Sequence, residues 1–186
     1  VASSGMVTAQ VPDEVTSLVQ QGIAKHDQKD YDGAIELYKQ ALALSPNDPT
    51  AHFELAYSLY ATRRYDDALD QIMVALVKHG ADKPLLYDLG GTILDTQGRF
   101  LEAEAEFRKS LQLEPTNPRV MFNLGACLLR QKKWSQSVAW IQRNLEKRPS
   151  HTESWRGLAI ASDALGHRLE AILSFWRLAA TAPESS

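Results

Sequence analysis

The sequence predicts an all-α fold, a solenoid of antiparallel helix pairs with about ten helices. Three observations carry that prediction. Prolines recur at a fixed stride: Pro115, Pro149 and Pro183 are 34 residues apart, and Pro46 stands 69 residues before Pro115, two strides and one residue more. Gly80 occupies the skipped stop. Between these stops small and bulky residues recur at fixed places, which is the mark of an array whose repeats bury their faces only against neighbours.

Five units follow, Val15–Asp48, Pro49–Lys83, Pro84–Asn117, Pro118–His151 and Thr152–Ser185, preceded by an extension over residues 1–14. The eighth place of each unit is small: Gly22, Ala56, Gly91, Gly125 and Ala159. So is the twentieth: Ala34, Ala68, Ala103, Ser137 and Ala171. The twenty-fourth is bulky: Tyr38, Ile72, Phe107, Ile141 and Phe175. Small residues let two helix backbones approach, and the bulky side chain fills the space beside them. The twenty-seventh place drifts from Ala41, Ala75 and Ser110 to Asn144 and Leu178, which predicts looser packing in the last two units.

Within each half the apolar spacing is helical, as in Leu55, Leu59 and Tyr60, then Leu69, Ile72 and Leu76. Short polar turns such as Lys29-Asp30, Arg63-Arg64 and Gly98-Arg99 separate the halves and force antiparallel neighbours. Asp48 and Asn117 stand where a helix N-cap is needed, with Pro49 and Pro118 suited to the first helical position.

Composition bounds the function. A net charge of −3 and a pI near 6.0 argue against nucleic-acid binding, which calls for a basic stripe. The single cysteine, Cys127, cannot form an internal disulfide, which favours the cytoplasm and leaves export to a bacterial periplasm as the alternative. No run approaches a membrane helix, so no insertion is expected. The start admits three readings: Val1–Gly5 as a remnant ahead of Met6, Val7-Thr8-Ala9 as the end of an export signal, or the whole chain as an internal fragment.

The run Gly22…Tyr31…Ala34…Tyr38…Ala41-Leu42…Pro46 resembles the tetratricopeptide repeat, as do Leu89…Gly91…Phe100…Ala103…Phe107…Pro115 and Leu124-Gly125…Trp134…Pro149. The resemblance covers residues 15–185 and implies a right-handed superhelix whose first helices line a concave groove. It implies that the second, fifth, ninth and twelfth places of each unit face that groove. The groove residues singled out on this basis are Phe53, Tyr57, Tyr60, Asp88, Thr92, Asp95, Arg119, Phe122 and Arg156, with Asn123 of the sixth place beside them. The lining runs from an aromatic stripe through an acidic step to arginines. Aromatic residues and arginine are the commonest anchors of a partner. A groove of this kind takes a peptide or helix of a partner protein. Some members clamp a C-terminal carboxylate. Here the matching places hold Phe53, Tyr57, Leu89, Arg119 and Asn123, or, in the next register, Asp88, Thr92, Asn123, Glu153 and Gly157, which lack the donors.

Catalytic or metal chemistry is not expected, and no cofactor is implied. No phosphate-cradling loop, nucleophile elbow or zinc-protease helix occurs. His26, Asp27 and Asp30 lie together but beside a turn, and Cys127 reads as a small buried residue. Trp134 and Trp155 fall where the repeat wants bulk, whereas Trp140 and Trp176 read as surface aromatics. The last helix carries Phe175 and Trp176 with almost nothing after it, so that side is expected to be covered either by a second copy, making a self-association end and a homodimer through the C-terminal repeat, or by a domain outside this sequence. The leading reading is a non-enzymatic interaction scaffold. The alternatives are a targeting or regulatory module of a larger enzyme, or an exported bacterial assembly factor.

Overall fold

The computed structural model describes the backbone of residues 7–181 and the side chains of residues 12–180. The readings attached to Val1–Met6 and to Pro183–Ser186 lie outside the described residues. Among the described residues there are ten helices and no strand. They are α1 (Val7–Asp27), α2 (Tyr31–Leu44), α3 (Pro49–Ala61), α4 (Tyr65–Leu76), α5 (Lys83–Thr96), α6 (Phe100–Leu113), α7 (Pro118–Arg130), α8 (Trp134–Lys147), α9 (Thr152–Ala164) and α10 (Arg168–Thr181). Residues 7–14 continue α1 as one helix, passing through Pro12.

Contacts divide the chain into two compact bodies, Val1–Leu89 and Gly90–Ser186, the division falling inside α5. In the N-terminal body α1 packs on α2 and on α3, α2 on α3, and α3 on α4. In the C-terminal body α6 packs on α7, α7 on α8 and α9, α8 on α9, and α9 on α10.

The turn inside each pair has one backbone solution. Its fifteenth-place residue is left-handed in all five units: Lys29 (φ 63°), Arg63 (62°), Gly98 (78°), Lys132 (60°) and Gly166 (77°). This ends the first helix with a reversal, and the next amide bonds back to it, as Asp30 N does to the Lys25 carbonyl at 2.9 Å. The second helix starts four residues after the first ends in every unit, so the two run antiparallel. Between pairs, Asp48 accepts from Ala51 N at 2.8 Å and Asn117 from Val120 N at 3.3 Å, and Pro49 and Pro118 occupy the first turn. These are the caps the sequence predicts.

The core forms where small places meet bulky ones. Tyr38, Phe107 and Ile141 are at most 1% exposed, and a β-carbon on Gly22, Gly91 or Gly125 would intrude on each in turn. Asn144 does not loosen its surroundings. It is fully buried, its amide donates to the Pro118 carbonyl at 2.6 Å, and its oxygen accepts from Ser154 Oγ at 2.6 Å. Since that serine proton is committed to Asn144, Ser154 Oγ can only accept from His151 Nδ1, 2.7 Å away, which fixes the imidazole tautomer. Around them Ile141, Leu145 and Leu158 make a buried cluster, with Leu129, Val138 and Trp155 against it. A polar chain thus replaces the small residue found at that place in the first three units, and satisfying both ends of the amide keeps the packing tight.

Candidate functional site

In the C-terminal body a cleft of about 380 Å³ opens on α7 and α9, with the last two turns of α5 at its side. Phe107, Phe122, Ala126, Leu129 and Ile160 make its apolar surface, and Gly157 adds bare backbone to the lining. Thr92 and Asn123 supply neutral polar groups. The remaining lining consists of two ion pairs, Asp95 with Arg130 at 2.7 Å and Glu153 with Arg156. Burial pushes the Asp95 carboxyl above its usual range, and the Arg130 guanidinium opposes that shift. Phe122 is held from behind by His151, whose ring meets it edge-on with centroids 4.7 Å apart.

Helix register explains the assembly. Phe122, Ala126 and Leu129 are spaced four and three apart on α7, and Arg156 and Ile160 four apart on α9, so each set shares one face. Ile160 stays 46% exposed, which leaves apolar surface open to a partner.

In the N-terminal body the fifth and ninth places of α3 put Phe53 and Tyr57 side by side, rings nearly parallel (6°) with centroids 6.3 Å apart. Tyr57 is 43% exposed and stacks on His26 of α1 at 4.9 Å. Tyr60 turns away toward Tyr65, 6.0 Å distant.

Of the residues expected to face a groove, Thr92, Asp95, Phe122, Asn123 and Arg156 line this cleft, and half-buried Phe53 and exposed Tyr57 make an aromatic step. Asp88 requires correction: it is only 2% exposed. Residues 88–91 are all buried, and four consecutive helical residues sweep most of the circumference, so α5 is covered nearly all round there. Arg119 is exposed on the first turn of α7 and does not line the cleft. Phe175 and Trp176 are 49% and 66% exposed on α10. The expectation missed Arg130. Its signal was available: an arginine stands in the unit after Asp95, one place beyond the carboxylate's own.

Among the described residues no group of three His, Cys, Asp or Glu side chains is placed to hold a metal ion, and no helix is long and apolar enough to cross a membrane. Cys127 is fully buried beneath the cleft wall, its Sγ 3.3 Å from the Phe100 carbonyl, and burial pushes its thiol up to about 11.

Two family profiles match, one described as TPR repeat over residues 22–62 and one as tetratricopeptide repeat over residues 96–161, together more than half of the chain. The chain is 26% identical over 165 residues to Protein O-mannosyl-transferase Tmtc3 of Drosophila melanogaster, a match covering 89% of this chain and 17% of that protein. It is 31% identical over 108 residues to the STIP1 homolog of Dictyostelium discoideum, covering 58% of this chain and 19% of that protein. The chain therefore spans less than a fifth of these relatives. Among solved structures, MamA superposes with a TM-score of 0.79 at 18% identity, covering 91% of this chain and 92% of that one. YrrB, a TPR protein with an unusual peptide-binding site, superposes at 0.77 and 16% identity, covering 98% and 95%. At these identities the likeness establishes the fold, an all-α array of antiparallel helix pairs. The chain belongs to the tetratricopeptide-repeat family.

Proposed function

We propose that the chain is a protein-interaction module that holds a peptide or short helix of a partner protein in the cleft formed by α5, α7 and α9. The observation that carries the reading is the cleft's make-up. An apolar surface from Phe122 to Ile160 is left open, while the charged groups around it are already paired. Such a surface gains from taking an apolar partner side chain, and the pairs set direction without being broken. The role is binding, not catalysis. The curated relatives are much longer than the chain, which supports a module that positions a larger protein, the fly O-mannosyl-transferase being one setting for such a module.

Peptides selected from a random phage library against the whole chain test this. Calorimetry with a selected peptide is expected to give micromolar affinity, about −8 kcal/mol. Phe122→Ala and Ile160→Asp are expected to weaken it by about tenfold each, in the range of a hot-spot truncation. Unchanged affinity in both variants would overturn the reading.

A second surface supports self-association. Leu169, Ile172, Leu173, Phe175 and Trp176 of α10 are 49–80% exposed on one helix. Sedimentation velocity should show a concentration-dependent dimer that Trp176→Glu abolishes, and a monomer at about 50 μM would rule this out, since weak homodimers populate in that range.

A further inference from the structure

Four rings stand in a row in the N-terminal body. Tyr31 meets His26 at 5.0 Å, His26 stacks on Tyr57 at 4.9 Å, and Phe53 lies parallel to Tyr57 at 6.3 Å. The row is fixed in place, because His26 Nδ1 lies 2.7 Å from Oγ of the fully buried Ser58. Two carboxylates accompany it. Asp27 follows His26 directly, and Glu54 follows Phe53 on α3, one residue round the helix from the face that carries Phe53 and Tyr57, close enough to Asp27 for the two charges to act on one another.

These two acids differ from their counterparts elsewhere. In the C-terminal cleft Asp95 and Glu153 each hold an arginine. On the same turn as Asp27, Asp30 holds Lys25 at 2.8 Å. Neither the Asp27 nor the Glu54 carboxylate makes a side-chain hydrogen bond or ion pair among the described residues. Glu54 is also partly buried, and burial first and the Asp27 charge second raise its pKa above the usual carboxylate value. An aromatic step thus lies next to two uncompensated negative charges that act on one another.

We propose that this face takes a long cationic side chain, lysine or arginine, of a partner protein. Its methylenes lie along Tyr57 and Phe53 and its charged head sits by Asp27 and Glu54. The rings offer apolar surface to the stem and an electron-rich π system to the cation. The head relieves the repulsion between the two carboxylates. A neutral or acidic side chain does neither. This surface is separate from the α5–α7–α9 cleft, and its occupant does not depend on that cleft binding anything.

The test is a proton–nitrogen NMR titration of the whole chain with N-acetyl-lysine amide and N-acetyl-arginine amide. Neutral N-acetyl-norleucine amide and N-acetyl-citrulline amide serve as controls. At least one cationic probe should shift the Glu54 and Tyr57 amides saturably, and which one does so names the side chain. Glu54→Gln and Asp27→Asn should each weaken that binding about fivefold, and raising salt from about 50 to about 300 mM should weaken it further, as for a partly exposed ion pair. Phe122→Ala, in the cleft, should leave it unchanged. Equal shifts from the neutral probes, or unaltered affinity in both acid variants with native spectra, would overturn the proposal.

Discussion

A β-carbon built on Gly22 would lie 2.8 Å from Tyr38 Cδ1 and equally close to Cζ, so the glycine and the ring occupy one another's only available space. The same relationship holds between Gly91 and Phe107, with Cδ1 and Cε1 at 2.7 Å. Where the bulky place holds Ile72 rather than a buried ring, the eighth place carries Ala56. Where it holds Phe175 opposite Ala159, the phenylalanine is 49% exposed.

Gly22→Ala and Gly91→Ala should therefore destabilise the protein despite alanine's better helix propensity. Overpacking a rigid core costs about 1–3 kcal/mol, and propensity returns about 1 kcal/mol. Urea unfolding should show a lower midpoint in both variants. Gly22→Ala combined with Tyr38→Leu should recover part of the loss, because a flexible side chain can give way.

Stability should fall as pH drops below about 6.5, the unfolded histidine value. Burial lowers the pKa of both His26 and His151, with Asp27 opposing the shift at the first and Arg148 reinforcing it at the second. Between the folded and unfolded values the unfolded chain binds more protons, so stability is fully present above about 6.5 and is lost as pH falls through the folded values. Melting temperatures from about pH 7.5 to 5.5 should decline in the wild type and less steeply in His26→Asn and His151→Asn.

Glu104 gathers Lys133 Nζ at 2.7 Å, Arg108 Nε at 2.9 Å and Gln131 Nε2 at 3.0 Å around a mostly covered carboxylate. Burial alone would raise its pKa, and the three donors together bring it below the usual value. Glu104→Gln should cost about 1–2 kcal/mol, discounted because Lys133 and Arg108 are partly exposed. The wild type's advantage, measured by urea unfolding, should be full above about pH 4.5 and shrink as pH falls through the lowered pKa.

Cys127 should resist thiol reagents in the native state, being fully buried with its thiol pushed up to about 11. Labelling with a disulfide chromophore should be slow in buffer and fast in urea. Rapid native labelling would show that α7 opens locally.

The sequence carried the array almost completely. A 34-residue stride, small places at eight and twenty, and caps at Asp48 and Asn117 are local or periodic signals, and each survives in the structure as a close approach or a hydrogen bond. The site was only partly legible. Register alone brought Phe122 and Arg156 to one cleft, because helical geometry is nearly the same in every unit. It could not foresee that Asp88 is buried, that Arg130 closes on Asp95 from the next unit, or that Asn144 is held through Ser154 to His151. Nor could it show that Asp27 and Glu54 stand without a cation. Each of those facts depends on which side chains meet across helices, at separations of a few ångströms. A repeat period fixes the places of backbones, while side-chain partnership and burial are settled only when the helices pack.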